Sequence, residues 1–336
     1  MPPTLTEVAE RAGVSLSTAS RAFSSPDRIG TETLARVIAA ADEIGYSAAR
    51  GSDRRVAATT VAVVVPDIGN SVFASFVKAA QARGWHRRQT LILTDTDSSA
   101  DHEREMVGEL QSRVDALVVC SPRLPAEDIV QLAGETPLVL VNRMSEDCDC
   151  VVADSRDGLR QSVDYLFALG HTRIAYVQGS AQSWSNSQRV TAVEELCGER
   201  GLEVQVLGWQ QETPAGGHAA AASVVATGAT AVICHNDPMA IGVINGVRAM
   251  GLSVPRDLSV IGIDDSPLAE LFHPTLTSIS VPMARAGMMS VDLVAQRTHA
   301  SAGPPRMIRL PTQIVVRAST GPAQKRDFRN LTGDSE

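Results

Sequence analysis

Two hydrophobic rhythms run along the 336 residues of this chain. Up to about residue 45, apolar side chains recur three and four positions apart, the spacing of helices that bury a single stripe. From Val61 the rhythm changes to short continuous apolar runs separated by amphipathic stretches, as in strands covered on both faces by helices.

The first segment reads TLTEVAERAGVSLSTASRAF over residues 4–23. Thr4 and Glu7 have capping-box spacing, and Leu5, Val8, Ala9 and Ala12 share one helix face. Gly13 suits the left-handed residue that ends a helix, Val14 plugs a small core, and Ser15 caps the next helix. That second helix turns Ala19, Ala22 and Phe23 inward and leaves Leu16, Ser17, Thr18, Ser20 and Arg21 outside. A third helix follows, with Thr31 as its cap and Leu34, Val37, Ile38, Ala41 and Ile44 as its core stripe. Two short helices joined by a glycine turn, the second one polar outside, form a helix-turn-helix that reads DNA. An ordinary helical hairpin is the plainer alternative.

In the body, VAVVVPD, LILTDTD, DALVVCSP, PLVLVNR, RIAYVQG, AVICHND and LSVIGIDD read as strands. Amphipathic stretches at 73–84, 157–170, 187–201 and 239–251 read as helices. This alternation predicts an α/β body of parallel sheets flanked by helices, whose ligands sit beyond the carboxyl ends of the strands. Those ends are rich in polar residues. The expected organisation is a helix-turn-helix head (1–47), a hinge or linker (48–58) and a two-lobed body (59–322). Lobe 1 takes about 59–155 and 283–308, and lobe 2 about 156–282 and 309–322. The tail GPAQKRDFRNLTGDSE, from Gly321, reads as disordered, with 323–336 left outside the domains.

Net charge is -8, from 30 Lys plus Arg against 38 Asp plus Glu. Residues 1–60 carry seven Arg and seven acidic residues, so the head is neutral and the body holds the excess acid. DNA binding then rests on placed arginines and not on bulk charge. Five cysteines with no C-x-x-C spacing argue against a disulfide framework or zinc site. Cys148 and Cys150 read as reduced thiols in an acidic surface loop. With no basic-then-apolar leader and no long apolar span, a soluble cytoplasmic protein is expected. No G-x-S-x-G, P-loop, G-x-G-x-x-G or H-E-x-x-H occurs, and His171 and His235 stand alone, which argues against an enzyme. The alternative class is a two-lobed α/β enzyme acting on a sugar or nucleoside.

The stretches TLTEVAERAGVSLSTASRAF and RIGTETLARVIAAADEIGY, with the body that follows, resemble the lactose-repressor/galactose-repressor (LacI/GalR) family of transcription regulators over about residues 4–320. The resemblance implies a three-helix head and a body like the periplasmic sugar-binding proteins. By motif position, Leu16, Ser17 and Arg21 face bases, while Thr4, Ser15, Thr18 and Ser20 lie nearer the phosphates. Arg21 has the two donors that match guanine O6 and N7. The family's hinge helix wedges a leucine into the minor groove, but SAARGSDRRVAATT has no leucine and no Pro-Asn start. Arg50, Arg54 and Arg55 are the residues left there to enter a narrow minor groove, with a flexible linker as the alternative.

In the cleft, the resemblance points to Asn70, Phe73, Asn142, Arg143, Arg189, Asn236 and Asp264, with Asp237 and Asp265 beside them. The chemistry agrees: Asp, Asn and Arg offer bidentate partners to sugar hydroxyls, and an aromatic covers the apolar ring face. Trp184 and Trp209 are further stacking candidates. The implied function is a homodimeric regulator, a repressor by family habit, on a pseudo-palindromic double-stranded DNA operator. Its control would come from a monosaccharide-like or nucleoside-like effector, with no cofactor, metal or membrane.

Overall fold

The computed structural model describes residues 4–24, 29–44, 59–299 and 303–324, which fall into two compact units joined at Thr59 and Thr60. The N-terminal unit has helices α1 (Leu5–Ala12), α2 (Leu16–Ser24) and α3 (Thr31–Glu43). Its capping box is complete: the Thr4 amide donates to Glu7 at 2.7 Å and the Glu7 amide to Thr4 Oγ1 at 3.4 Å. Gly13, at φ 64°, takes the left-handed conformation that a side chain would strain, and it lets the chain turn into α2. Val8, Ala9, Ala12, Ala19, Ala22, Val37, Ala40 and Ala41 form the core, with Leu5, Val14, Phe23, Leu34 and Ile44 packed around it. The α3 stripe differs from its sequence reading. Ile38 is 40% exposed and Ala40 takes the inward place, because a core lined with alanines brings helices too close for the longer side chain. Thr31 is the first helical residue, not the cap.

The body holds two six-stranded sheets. In the first, β1 (Thr60–Val65), β2 (Thr90–Asp95), β3 (Ala116–Cys120), β4 (Leu138–Val141) and β5 (Asp149–Asp154) are joined by β11 (Met307–Pro311) in the order β11-β5-β4-β3-β1-β2, all parallel. Helices α4 (Ser71–His86), α5 (Ala100–Leu110) and α6 (Ala126–Ala133) make its crossovers. The continuous run of β1 is explained by two-sided burial: Val61, Val63 and Val65 enter one core, Ala62 and Val64 another.

The second sheet has β6 (Arg173–Val177), β7 (Glu203–Leu207), β8 (Ala231–Cys234), β9 (Ser259–Asp264), β10 (Thr277–Ser280) and β12 (Gln313–Val315) in the order β12-β10-β9-β8-β6-β7. Only its edge strand β12 is antiparallel. Helices α7 (Ser155–Ala168), α8 (Trp184–Glu199), α9 (Pro214–Ala226), α10 (Asp237–Ala249) and α11 (Pro267–Leu271) belong with it, and α12 (Met283–His299) returns the chain to the first lobe. The chain thus crosses between lobes after β5, at α12, and again at Thr312. There the Thr312 hydroxyl donates to Asp154 O at 2.7 Å and accepts from the Gly158 amide at 3.1 Å.

Two sequence expectations change. The acidic loop around Cys148 and Cys150 is not at the surface: both thiols are free and buried, and Asp149 opens strand β5. Burial of its carboxylate is compensated by Arg297, at 2.8 and 2.7 Å, and by the Arg306 amide at 2.7 Å. The tail is also ordered further than expected. Ser259 donates to Gly321 O at 3.0 Å and the Ala323 amide to Leu169 O at 2.9 Å, so the chain is tied down to this point. Residues 325–336 lie outside the described part.

Close helix crossing sets the floor of the second lobe. A Cβ on Gly242 would come within 2.1 Å of Pro214 O, and one on Gly217 within 2.0 Å of Met239 O. Only glycine lets α9 and α10 meet at this distance. Among the described residues no helix is long and apolar enough to cross a membrane.

Candidate functional site

In the head, α2 presents its first turn and outer face to solvent. Leu16 is 50% exposed, Ser17, Ser20 and Arg21 are exposed, and Thr18 is half-buried. The Ser15 hydroxyl accepts from the Thr18 amide at 3.2 Å and lies within 2.9 Å of the Ser17 and Thr18 hydroxyls, so a cap and a small hydroxyl cluster share one corner. Arg11 is committed to Glu43 of α3, whereas Arg21 has no ion-pair partner among the described residues. This leaves a fork of donors at the end of an exposed helix face, suited to base edges or phosphates. Arg50, Arg54 and Arg55 fall outside the described residues.

The body carries a cleft of about 450 Å3 at the carboxyl ends of both sheets. Six of the seven residues expected there line it: Asn70, Phe73, Asn142, Arg189, Asn236 and Asp264. Arg143 does not. Its guanidinium donates to Leu124 O, behind the position Asn142 occupies at φ 52°. Trp184 stays off the cleft wall, while Trp209 belongs to an adjoining, wider chamber.

Several wall residues are placed by helix chemistry. Asn70 caps α4 by accepting from the Val72 amide at 3.2 Å, and Asn236 caps α10 by accepting from the Met239 amide at 2.9 Å. Both caps line the cleft, so the N-termini of these helices open toward it. Asn142 accepts from the Ala153 amide at 3.0 Å and donates to Ser121 at 3.2 Å, which fixes its amide across three strand ends.

The charged residues differ in how far they are satisfied. Arg189, nearly buried on α8, donates through Nε to Ser155 at 3.2 Å and through Nη1 to His235 O at 2.6 Å. Among the described residues nothing takes Nη2. Asp264 sits at φ 125°, a strained conformation for a non-glycine residue, and its carboxyl has no partner among the described residues. Burial and the nearby Asp237 raise its pKa. Asp265 turns the other way, into an ion pair with Arg317 at 2.7 Å.

The sequence reading missed three charged or titratable wall residues. Arg123, just past β3, pairs with Glu212 of the second lobe at 2.7 Å and bridges the cleft. Glu212 accepts from the Ser180 amide at 3.1 Å, and although burial opposes ionisation, the Arg123 guanidinium and that amide hold its pKa low. His235 Nε2 stands 3.4 Å from Glu212. Burial and Arg189 push the His235 pKa down to about 3, so the ring is neutral at pH 7. Arg123 was readable as another arginine following a polar strand end, whereas Glu212 carried no signal because the alternating strand before it was not recognised. Arg123 and Glu212 compensate each other, and the rest of the wall presents hydroxyl and amide groups together with the Arg189 guanidinium and the Asp264 carboxyl.

Comparison with known proteins is consistent with this arrangement. Residues 4–48 match the family model for bacterial regulatory proteins of the lacI family, and residues 163–320 match a periplasmic binding protein-like domain. The HTH-type transcriptional regulator reg1 of Streptomyces lividans is 30% identical over 335 residues, spanning 95% of this chain and 97% of that one. The structure of the transcriptional regulator CelR in complex with cellobiose superposes with a TM-score of 0.71 at 27% identity, over 94% of this chain and 99% of that chain. A ribose-bound regulator from Enterococcus faecalis gives 0.72 at 27% identity, over 79% of this chain and 100% of its own. These relatives are regulators and not enzymes, which removes the enzyme alternative. The chain belongs to the lacI family of bacterial regulatory proteins and is a helix-turn-helix transcriptional regulator with a periplasmic-binding-protein-like effector domain.

Proposed function

We propose that this regulator is a cytoplasmic homodimer that binds a pseudo-palindromic operator through α2 and is switched by a neutral sugar in the body's cleft. Residues 1–47 serve as the DNA head, 48–58 as the hinge and the body from 59 as the effector and dimerisation domain. Leu16, Ser17 and Arg21 meet base edges, and Thr4, Ser15, Thr18 and Ser20 meet phosphates. Arg50, Arg54 and Arg55 add contacts from the hinge. One small head makes too few contacts to specify a site alone, and a two-fold pair of heads doubles them. The edge strand β2 supports self-association, since it leaves Ile92 and Leu93 exposed near the exposed Trp85.

The observation that carries the effector reading is the pair of unsatisfied groups on one cleft wall, Arg189 Nη2 and the Asp264 carboxyl. A donor and a carboxyl left free beside satisfied neighbours suit adjacent ligand hydroxyls. Asn70, Asn142 and Asn236 hold the remaining hydroxyls, and Phe73 covers the ring's apolar face. Arg143 supports the wall from outside. Relatives solved with ribose and with cellobiose favour a sugar over a nucleoside.

The test is selection of operators from random duplex DNA by the full-length protein, followed by fluorescence anisotropy on the selected duplex with a sugar panel. The expected result is a pseudo-palindromic site whose affinity changes with one sugar, and an Arg189→Ala variant that binds DNA normally but no longer responds. Failure to enrich any site, or an unchanged sugar response in Arg189→Ala, would overturn the assignment.

A further inference from the structure

The segment that carries the head enters the body at Thr60, and an exposed basic turn stands beside that point. β1 begins at Thr60 and β2 at its register partner Thr90, one strand spacing of about 4.8 Å away. The turn that feeds β2 is therefore next to the start of β1. It reads Trp85, His86, Arg87, Arg88 and Gln89, and the first four of these are exposed.

The turn closes as a Schellman motif at the end of α4. The Gln89 amide donates to Gly84 O at 2.9 Å and the Arg88 amide to Trp85 O at 3.1 Å. Arg88 thus occupies the place that favours glycine, and it holds φ 54° there. Its side chain is exposed, and among the described residues no hydrogen bond or ion pair engages the guanidinium. The acids packed against this region are already taken. Asp292 of α12 accepts from Arg83 at 2.7 Å and Arg87 at 2.5 Å, and Asp115 accepts from the Thr60 amide at 2.7 Å. The turn keeps an excess of positive charge, with Arg88 as a free donor fork of the kind that matches phosphate.

The covalent connection ties this turn to DNA. Arg55 precedes Thr60 by five residues, about 8 Å of helix or at most about 18 Å of extended chain. With the hinge arginines in a minor groove, the turn beside Thr60 stays within that tether of the same backbone. Self-association through β2, which follows the turn directly, brings two such turns to the two-fold axis and so to the centre of the operator. The hinge has no leucine to wedge there.

We infer that the turn between α4 and β2 is a further DNA-contacting element, with Arg88 of each copy donating to backbone phosphates at the centre of the operator. This rests on the reading of the protein as an operator-binding dimer and adds a contact made by the body, which carries affinity without sequence information.

The experiment is fluorescence anisotropy of the full-length protein on its selected duplex across a potassium chloride series, for the wild type, Arg88→Gly, Arg88→Lys and Arg21→Ala, with sedimentation velocity on each. Glycine suits the left-handed cap, so Arg88→Gly removes the charge and leaves the fold intact. This variant should stay dimeric, bind about 10-fold or more weaker, and lower the slope of log affinity against log salt by about 2, close to one counterion per copy. The loss should be the same on operators with altered bases, and Arg88→Lys should recover most of it. Neutral methylphosphonate linkages at the centre of the duplex should weaken the wild type more than Arg88→Gly. If Arg88→Gly keeps the wild-type affinity and slope, or loses affinity only by dissociating the dimer, the turn contact fails, while loss of specificity in Arg21→Ala leaves the operator reading standing. If selection enriches no duplex, the operator reading fails and the proposal goes with it.

Discussion

The Arg123–Glu212 pair joins the two lobes, and its energetics can be worked out from the structure. The Arg123 side chain is 3% exposed and Glu212 is 18% exposed, with 2.7 Å between Nη2 and Oε2. Glu212→Gln keeps the shape and can still accept from the Ser180 amide, but it leaves the Arg123 charge without its counter-ion. Removing one partner of a fully buried pair costs about 3–5 kcal/mol. Because Glu212 faces an open chamber, water relieves part of that loss, and about 1–3 kcal/mol is a better figure here. The cost falls on the closed arrangement of the lobes, so the equilibrium shifts toward opening by about 5- to 150-fold.

A double-mutant cycle separates this from simple loss of packing. Arg123→Met removes the charge and retains much of the side chain's length. The combined variant should recover most of the stability lost in Glu212→Gln, since replacing both partners leaves no uncompensated charge. Urea unfolding of the wild type, both single variants and the double variant gives the coupling, and small-angle scattering reports whether the lobes spread. Additive single effects with unchanged scattering profiles would refute the bridge as an interlobe tie.

Two further predictions concern the scaffold beneath the cleft. Gly242→Ala forces a Cβ to 2.1 Å from Pro214 O, so overpacking should cost about 1–3 kcal/mol and lower Tm by several degrees in a melt followed by circular dichroism; an unchanged Tm would show that α9 and α10 can separate freely. At Asp149, burial raises the pKa, but hydrogen bonds from Arg297 and Arg306 outweigh it and hold the folded value below the ordinary one. Its stabilisation is therefore present above the unfolded pKa of about 4 and is lost as pH falls through the folded value. Urea unfolding should show an acid limb in the wild type that is flatter in Asp149→Asn, and identical slopes in the two proteins would count against the ion pair.

The head was legible almost residue by residue, because capping, the glycine turn and the α1 and α2 stripes are local. Ile38 shows where that ends: its position on the helical stripe is right, yet alanine-sized contacts in three dimensions exclude it. In the body, strands buried on both faces announced themselves as apolar runs. Strands β5, β7, β10, β11 and β12 did not. The first carries Asp149, whose arginine partners lie about 150 residues away in sequence, and the second alternates as EVQVL at a sheet edge. Helix starts were read too late for a related reason. Asn70, Ser183 and Asn236 are caps, so each helix begins before its apolar stripe does. Arg123 and Arg143 follow similar strand ends, and only the turn geometry at Asn142 separates the residue that enters the cleft from the one that leaves it.

That double duty bears on how a ligand could be felt outside the cleft. Asn236 caps α10 through its side-chain oxygen and donates through its amide to Glu212 O at 3.0 Å. Glu212 in turn holds Arg123 of the other lobe. Three contacts therefore run from the start of a helix in one lobe to a strand end in the other, and all of them border the cleft. A ligand that engages Asn236 or inserts beside Glu212 must either reinforce this path or compete with it. Either way its affinity differs between closed and open lobes, and that difference is the only free energy available to bias the regulator. A coupling of about 1–3 kcal/mol is typical for such switches, which matches the scale assigned to the bridge.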